Sequence, residues 1–300
     1  MRIGFCLPQY GEITKRPDVV TAFARGAEEI GADSLWAGDR LLMPVHPQVG
    51  YGGSTEPIPG QYKRVLDPFA VVASAAAVTS RVQFGTSVLN VPFYPAAALA
   101  RTLASIDFMS GGRLIPGLGI GWAPEEYMAS AAPMKERGAR LDEALDVLDA
   151  WWTQDPVEHH GRFWDIPASH VDLKPAQSPR PPLYLGAFFS PAAFRRIALR
   201  GDGWLPAAVI PGQFDPAAIA GQLAKIRAEA EEAGRDPSAI GIALRINPVP
   251  PSTPADVADA FLRAADAGID HVFADFMYLS DDAGETLDLA SQVHSRVRGG

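Results

Sequence analysis

Short apolar runs alternate with longer amphipathic segments along the whole of the 300-residue chain. The short runs have the length and composition of buried strands, whereas the longer segments repeat apolar residues at helical spacing. Val20, Phe23, Ala24 and Ala27, for example, lie on one face of a helix. The pattern predicts strands at 2–7, 33–39, 82–90, 112–121, 181–187, 201–207, 239–249 and 270–276. It predicts helices after them at 17–32, 67–80, 96–110, 135–152, 190–201, 214–236, 253–268 and 283–297.

The strict order of strand and helix decides the fold class. Strands that alternate with helices are parallel and are joined by helical crossovers. Eight such pairs favour an α/β fold of the closed (β/α)8 type, the TIM barrel, and an open doubly wound sheet is the alternative. We therefore predict one barrel domain over residues 1–300.

Two long insertions interrupt the alternation. Residues 41–65 are rich in Pro and Gly and follow the second strand, which puts them on the carboxyl face where barrel enzymes carry their sites. A loop of this length is typical of a lid, and we predict one here. Residues 154–182, before the fifth strand, contain a hairpin pattern and a proline-rich run. They follow a helix, so we expect them to serve packing or assembly.

Charge and cysteine content narrow the partners and the compartment. The net charge of −9 argues against nucleic acid or an anionic membrane as the main partner. Cys6 is the only cysteine, so the chain cannot form an internal disulfide. The sequence has no signal-peptide pattern at its start, and its apolar stretches are too short to cross a bilayer. We expect a cytoplasmic protein that binds a small molecule.

The common catalytic motifs are missing from the chain. It has no phosphate-binding P-loop, no zinc-protease motif, no paired cysteines and no nucleophile elbow. The stretch "GLGIG" resembles a dinucleotide fingerprint, but Trp122 takes the place of its last glycine, so a Rossmann site is excluded. These glycines allow either a tight turn or a close approach to a ligand. His159 and His160 are neighbours on a predicted strand and point apart, so we predict no metal site.

Polar residues at strand ends give the strongest functional signal. In a barrel, the carboxyl ends of all strands meet at one face. The polar residues there include Asp39, Arg40, Ser87, Asn90, Ser190 and Asn247. Aromatic residues are mixed with them, namely Trp36, Phe93, Trp122, Phe188, Phe189 and Trp204. An apolar pocket with a few polar groups suits a flat organic ligand.

Several segments resemble a known family in their order along the chain. "GADSLWAGD", "GTSVLNVPFYPAAALARTLASIDFMSGGRLIPGLGIGWAPEEY", "ERGARLDEALDVLDAWWTQDPVEHHGRFW", "LKPAQSPRPPLYLGA" and "FRRIALRGDGWLP" are similar to the core of the bacterial luciferase-like flavin and deazaflavin oxidoreductases. The resemblance runs from about residue 30 to residue 210. It implies a (β/α)8 barrel and a flavin-type cofactor on the carboxyl face.

The resemblance also implies which residues hold this cofactor. The third strand of the family carries a bulge with a non-prolyl cis peptide against the ring, and the matching bond here is Ser87–Val88. Other cofactor contacts implied by the motifs are Asp39, Asn90, Ile120 and Gly121. The phosphate turn would fall on Phe189, Ser190 and Ala192, where two glycines of many members are replaced by Phe189 and Ser190.

Two departures from the family bear on the chemistry. In the sugar-phosphate dehydrogenases of the family, a histidine and a glutamate occupy the places of Arg40 and Trp122, so we do not expect that activity. Arg40 stays protonated but can hold a carbonyl or the charge on a reduced ring. Glu125 and Glu126 lie nearby and are candidates for proton transfer. His46 in segment 41–65 and Trp122 are the candidate substrate contacts.

The resemblance supports either coenzyme F420 or FMN. The chain is rich in Ala and Arg and poor in Lys, which is typical of high-GC organisms, and many users of F420 are such organisms. We favour an F420-dependent oxidoreductase that exchanges hydride with an unidentified small organic substrate. One alternative is an FMN-dependent monooxygenase that uses reduced flavin and oxygen. Another is a barrel that binds F420 without catalysis. Members of the family often dimerise, and we expect a homodimer.

Overall fold

Eight strands alternate with helices in the computed structural model, which describes residues 1–187, 190–212 and 214–299. The predicted order of elements is therefore confirmed. The strands are β1 (Arg2–Cys6), β2 (Ser34–Ala37), β3 (Gln83–Thr86 and Leu89–Asn90), β4 (Leu114–Ile115 and Gly117–Gly119), β5 (Tyr184–Leu185), β6 (Gly203–Trp204 and Ala207–Ile210), β7 (Gly241–Ile242 and Leu244–Pro248) and β8 (His271–Ala274).

Hydrogen bonds connect every one of these strands to both of its neighbours. β1 pairs with β2 on one side and with β8 on the other, so that Gly4 faces both Ser34 and Phe273. All of these pairings are parallel. The strands thus form a closed ring, which confirms the predicted (β/α)8 barrel over the open sheet.

The helices lie outside this ring, and many begin with a proline. They are α1 (Val19–Glu29), α2 (Pro68–Ala76), α3 (Ala96–Ser110), α4 (Pro124–Ala129), α5 (Arg137–Thr153), α6 (Pro191–Arg200), α7 (Pro216–Glu232), α8 (Pro254–Asp266) and α9 (Ala283–Gly299). α2 begins as predicted, because Asp67 accepts a hydrogen bond of 2.9 Å from the Ala70 amide. Within the described residues, none of the helices has the length and apolar character needed to cross a membrane.

Short 3-10 turns and one hairpin complete the fold. The turns are Glu12–Lys15, Tyr51–Gly53, Gly60–Lys63, Val91–Phe93, Met134–Glu136, Pro237–Ala239 and Phe276–Tyr278. The hairpin predicted in the second insertion is confirmed, with antiparallel strands Val157–His160 and Asp165–Ser169. Glu143 of α5 accepts hydrogen bonds from the amides of Arg162, Phe163 and Trp164, so the hairpin is held on this helix.

Aromatic side chains fill the interior of the barrel. Trp36 of β2 stacks on Phe273 of β8 with ring centroids 4.2 Å apart and an angle of 8° between the planes. The same interior cluster contains Tyr184, Leu205 and Ala243. The expectation that Trp36 and Trp204 line the ligand pocket is therefore wrong. Trp36 fills the barrel, and Trp204 is buried between the barrel and the helices.

Gly85 of β3 makes room for the indole ring of Trp36. A Cβ atom at this position would lie 2.2 Å from two carbon atoms of that ring. The ring is fully buried and is held by a hydrogen bond of 2.9 Å from Trp36 Nε1 to Ser34 Oγ, so it has little room to move. The close packing of the barrel therefore depends on a glycine at position 85.

We expect Gly85→Ala to lower the free energy of unfolding by about 1 to 3 kcal/mol, because the added methyl group overfills a packed core. The matched control is Gly221→Ala in α7, where an added Cβ meets no atom within 4 Å. That change should leave stability unchanged or raise it by up to about 1 kcal/mol through helix propensity. Urea unfolding of the three proteins measures both effects. Equal stability of the two variants would contradict this account of Gly85.

Candidate active site

Asp39 at the end of β2 holds the end of β3. Its Oδ2 atom accepts hydrogen bonds from the Asn90 amide at 2.8 Å and from the Tyr94 hydroxyl at 2.9 Å. The Asn90 side chain in turn donates to the Asp39 carbonyl at 3.0 Å. Burial raises the pKa of Asp39 to about 6, although both hydrogen bonds act in the opposite direction. Since Oδ2 carries both bonds, Oδ1 is the oxygen available to a bound molecule.

A bulge interrupts β3 between its two segments. The Ser87–Val88 peptide is cis, which confirms the geometry that the family resemblance implies. The Ser87 amide donates to the Ala37 carbonyl of β2 at 2.7 Å. The Val88 side chain lies against two glycines, because a Cβ on Gly119 or on Gly186 would meet it at 2.4 or 2.6 Å. Gly119 thus makes room for the bulge.

Arg40 and Glu126 form a buried ion pair beside the bulge. Arg40 Nη1 lies 3.1 Å from Glu126 Oε2, and the two side chains are 5% and 0% exposed. The guanidinium also stacks on Trp122, with its central carbon 4.3 Å from the ring centroid. Glu126 Oε1 accepts the amide of Leu41 at 2.7 Å. Burial raises the pKa of Glu126, and the charge of Arg40 partly offsets this.

Both glutamates of α4 therefore hold the first insertion. Glu125 accepts a hydrogen bond of 2.7 Å from the Gln48 amide, as Glu126 does from Leu41. Proton transfer by Glu125 or Glu126 stays a prediction, as does the binding of a carbonyl or of ring charge by Arg40, and this geometry supports a positioning role for all three. Helix α4 was not predicted, because its six residues are too few to show helical periodicity.

Segment 41–65 lies against the carboxyl face through aromatic side chains. Tyr51 packs edge-on against Trp122, with centroids 5.9 Å apart, and Tyr62 packs edge-on against Tyr10 at 5.1 Å. These contacts agree with a lid, which stays a prediction. His46 is exposed on the same segment, and its contact with substrate stays a prediction as well.

Two side chains of β7 that point into the barrel mouth were not predicted as a site. Arg245 Nη1 donates to the Ser87 carbonyl of the bulge at 3.2 Å, and the same guanidinium is ion-paired with Asp275 after β8. Arg245 Nε and Asn247 Oδ1 are both buried without a partner in the described part of the chain. Asn247 was noticed at the strand end. An arginine inside an otherwise apolar strand was the signal for Arg245.

The other predicted cofactor residues follow β4 and β5 along the chain. Gly121 turns the chain with a φ of 67°, and a Cβ there would lie 3.2 Å from Asn90 Oδ1. The Ile120 carbonyl accepts a hydrogen bond from the Tyr127 hydroxyl. Ser190 immediately precedes α6 without a hydrogen bond from its side chain to the helix, and Ala192 is exposed in the first turn. Phe189 lies outside the described residues. No group of three metal-ligating side chains occurs in residues 1–187, 190–212 and 214–299.

Fold and site together define a (β/α)8 barrel with a candidate ligand site on its carboxyl face. The family model for luciferase-like monooxygenases matches residues 1–295. The chain therefore belongs to the luciferase-like monooxygenase family, whose members are oxidoreductases, monooxygenases among them.

Three similar proteins illustrate the range of the family. An F420-dependent glucose-6-phosphate dehydrogenase of Amycolatopsis mediterranei is 32% identical over 195 residues, which are 63% of this chain and 53% of that protein. The structure of an F420-dependent secondary alcohol dehydrogenase with an F420–acetone adduct is 20% identical, with a TM-score of 0.76 over 99% of both chains. The structure of the monooxygenase RslO1 from Streptomyces bottropensis is also 20% identical, with a TM-score of 0.76 over 97% of this chain and 98% of that one.

The raised pKa of Asp39 predicts a pH dependence of stability. The folded state holds this proton more tightly than the unfolded chain, whose value is near 3.8. Its contribution to stability is therefore full below about pH 4 and is lost as the pH rises through about 6. Between pH 7.5 and pH 4.5, the wild type should gain about 2 kcal/mol relative to Asp39→Asn, which cannot titrate. Urea unfolding at both values tests this, and parallel pH curves for the two proteins would contradict it.

Proposed function

We propose that the protein binds F420 on the carboxyl face of the barrel and exchanges hydride with a small organic substrate. The observation that carries this proposal is the bulge at Ser87–Val88, which Asp39 and Asn90 hold from one side and Arg245 from the other. A bulge fixed from both sides offers a rigid support for one face of a flat ring. The family membership supports the same site.

The unpartnered polar atoms at the mouth suit the polar edge of such a ring. Flavins and deazaflavins carry carbonyl oxygens and an N–H group along one edge. Arg245 Nε is a buried donor and Asn247 Oδ1 a buried acceptor, and neither has a partner in the described chain. Leaving such groups unpaired is unfavourable, so a ligand that pairs them gains binding energy. The residues present therefore fit the ring of either F420 or FMN.

The start of α6 is the candidate phosphate site. This helix has ten residues, and Ser190 before it gives no side-chain hydrogen bond to the first turn. Free amides at a helix start bind phosphate well. Both cofactors carry a phosphate, so this feature supports the binding mode without separating them.

Two similar proteins favour F420 over FMN as the cofactor. A dehydrogenase that is 32% identical and one of the structural neighbours are both named as F420-dependent. When bound, F420 supplies two-electron hydride chemistry. The residues of this chain would orient the ring through Asp39, Arg245 and Asn247, and segment 41–65 would exclude water from the site. The place of Arg40, buried against Glu126, supports a substrate other than a sugar phosphate.

Fluorescence titration with F420 and, separately, with FMN tests the proposal. We expect F420 to bind more tightly than FMN, and Ser87→Phe to weaken its binding by at least about tenfold, because a bulky side chain would stand at the support of the ring. The matched control is Ser295→Phe on the exposed side of α9, which should bind F420 like the wild type.

The other results of this titration would change the proposal in different ways. Preference for FMN would favour a monooxygenase, and oxygen consumption with reduced FMN would then follow. Tight F420 binding without reduction or oxidation by any donor or acceptor would favour a binding protein. Binding of neither cofactor, or equal binding by Ser87→Phe, would overturn the proposed site.

A further inference from the structure

Three tyrosines lie close to one another and to Arg245 at the mouth of the barrel. Tyr51 and Tyr62 come from segment 41–65, and Tyr278 comes from the turn after β8. The hydroxyl of Tyr62 lies 3.5 Å from that of Tyr51, and Tyr278 lies close enough to Tyr51 for that neighbour to raise its pKa. Tyr62 is buried, whereas Tyr51 and Tyr278 are half-buried. The latter two are therefore the members that a bound molecule can reach.

A tight turn fixes the position of Tyr51. The Tyr51 amide donates to the Glu56 carbonyl at 2.7 Å, and the Gly50 amide donates to the Ser54 carbonyl at 2.8 Å. A Cβ on Gly50 would lie 2.1 Å from the Glu56 carbonyl oxygen, so this turn requires glycine there. The sequence of the segment is thus consistent with the precise placement of one tyrosine.

The charged side chains near the tyrosine hydroxyls are paired with groups of opposite charge. Burial raises the pKa of Tyr62 and of Tyr278, so both keep their protons through neutral pH. The guanidinium of Arg245 acts against this rise in both tyrosines. Arg245 itself is paired with Asp275, as Arg40 is with Glu126. The titratable groups around Tyr51 are Tyr10, Tyr62, Tyr278, Arg40, Arg245 and Asp275, with Cys6 below them.

We propose that the hydroxyls of Tyr51 and Tyr278 bind the oxygen of an uncharged carbonyl or alcohol substrate and transfer the proton that accompanies hydride transfer. This inference rests on the proposed function. An uncharged substrate fits because both arginines at the cluster already have a carboxylate partner. The rings of Trp122, Tyr51 and Tyr62 provide an apolar wall for the rest of the molecule.

The proposed step balances as follows. F420, held by Asp39, Arg245 and Asn247, would supply the hydride with its electron pair to the carbonyl carbon and would be oxidised in the step. The π electrons of the C=O bond move to the oxygen, which takes the proton from the Tyr51 hydroxyl. Solvent then restores the proton of Tyr51, which is only half-buried. The reverse sequence oxidises an alcohol.

The first assay uses the protein loaded with reduced F420 and two uncharged probes, cyclohexanone and benzaldehyde. The second uses the protein loaded with oxidised F420 and a charged probe, glucose 6-phosphate. We expect turnover of at least one carbonyl and none of glucose 6-phosphate. Tyr51→Phe should lower kcat by about 100-fold, the usual size of a general-acid effect, and change KM little. Tyr184→Phe, which removes a hydroxyl from the barrel interior, is the matched control and should keep wild-type kcat.

The pH profile and a binding measurement separate a proton donor from a structural residue. With a tyrosine donor, kcat should stay level from pH 6 to 8.5, whereas a donor with the pKa of Asp39 would lose activity above about pH 6. Saturation-transfer NMR should show the probe bound to the F420 complexes of the wild type and the control.

Each result supports or contradicts the inference. If F420 binds but neither carbonyl is bound or turned over, the inference is overturned and the proposed function stands. If F420 does not bind, both are overturned. Oxidation of glucose 6-phosphate would contradict the uncharged substrate. Wild-type kcat in Tyr51→Phe, or a profile that falls above pH 6, would contradict the tyrosine donor.

Discussion

The hydrogen bonds of Asp39 to Asn90 and Tyr94 are the constraint on which the candidate site depends. β3 is interrupted at Ser87–Val88, so its second segment does not pair with β2 and must be fixed by other contacts. Asp39 supplies that hold from the end of β2, and Gly119 and Gly186 accept the Val88 side chain on the inner side. A buried carboxylate is unfavourable by itself, and its hydrogen bonds offset part of that cost. The protein thus maintains a polar group in its core to keep the bulge in one place.

A second set of contacts joins this bulge to segment 41–65. Glu126 pairs with Arg40, which directly follows Asp39, and accepts the Leu41 amide. Trp122 stacks on Arg40 and touches Tyr51. The bulge, the start of segment 41–65 and the Tyr51 ring are therefore connected through Arg40, Trp122 and Glu126.

Much of this fold could be predicted from the sequence, because eight apolar runs and eight amphipathic segments leave few arrangements other than a barrel. The family resemblance led to the cis peptide at Ser87–Val88. The pairing of Arg40 with Glu126 could not be predicted, since their partners are set by a helix too short to show periodicity. Trp36 was misplaced because alternate residues of one strand face the interior and the outer layer, and the sequence alone does not say which. Arg245 was missed for the same reason.

The most direct test of the account is a crystal structure of the protein with F420. We predict that the ring lies over the Ser87–Val88 bulge, with its polar edge within hydrogen-bonding distance of Arg245 or Asn247 and its phosphate at the start of α6. A ring bound away from the bulge would contradict the account, for example in the outer depression lined by Leu223, Arg227 and Ile269.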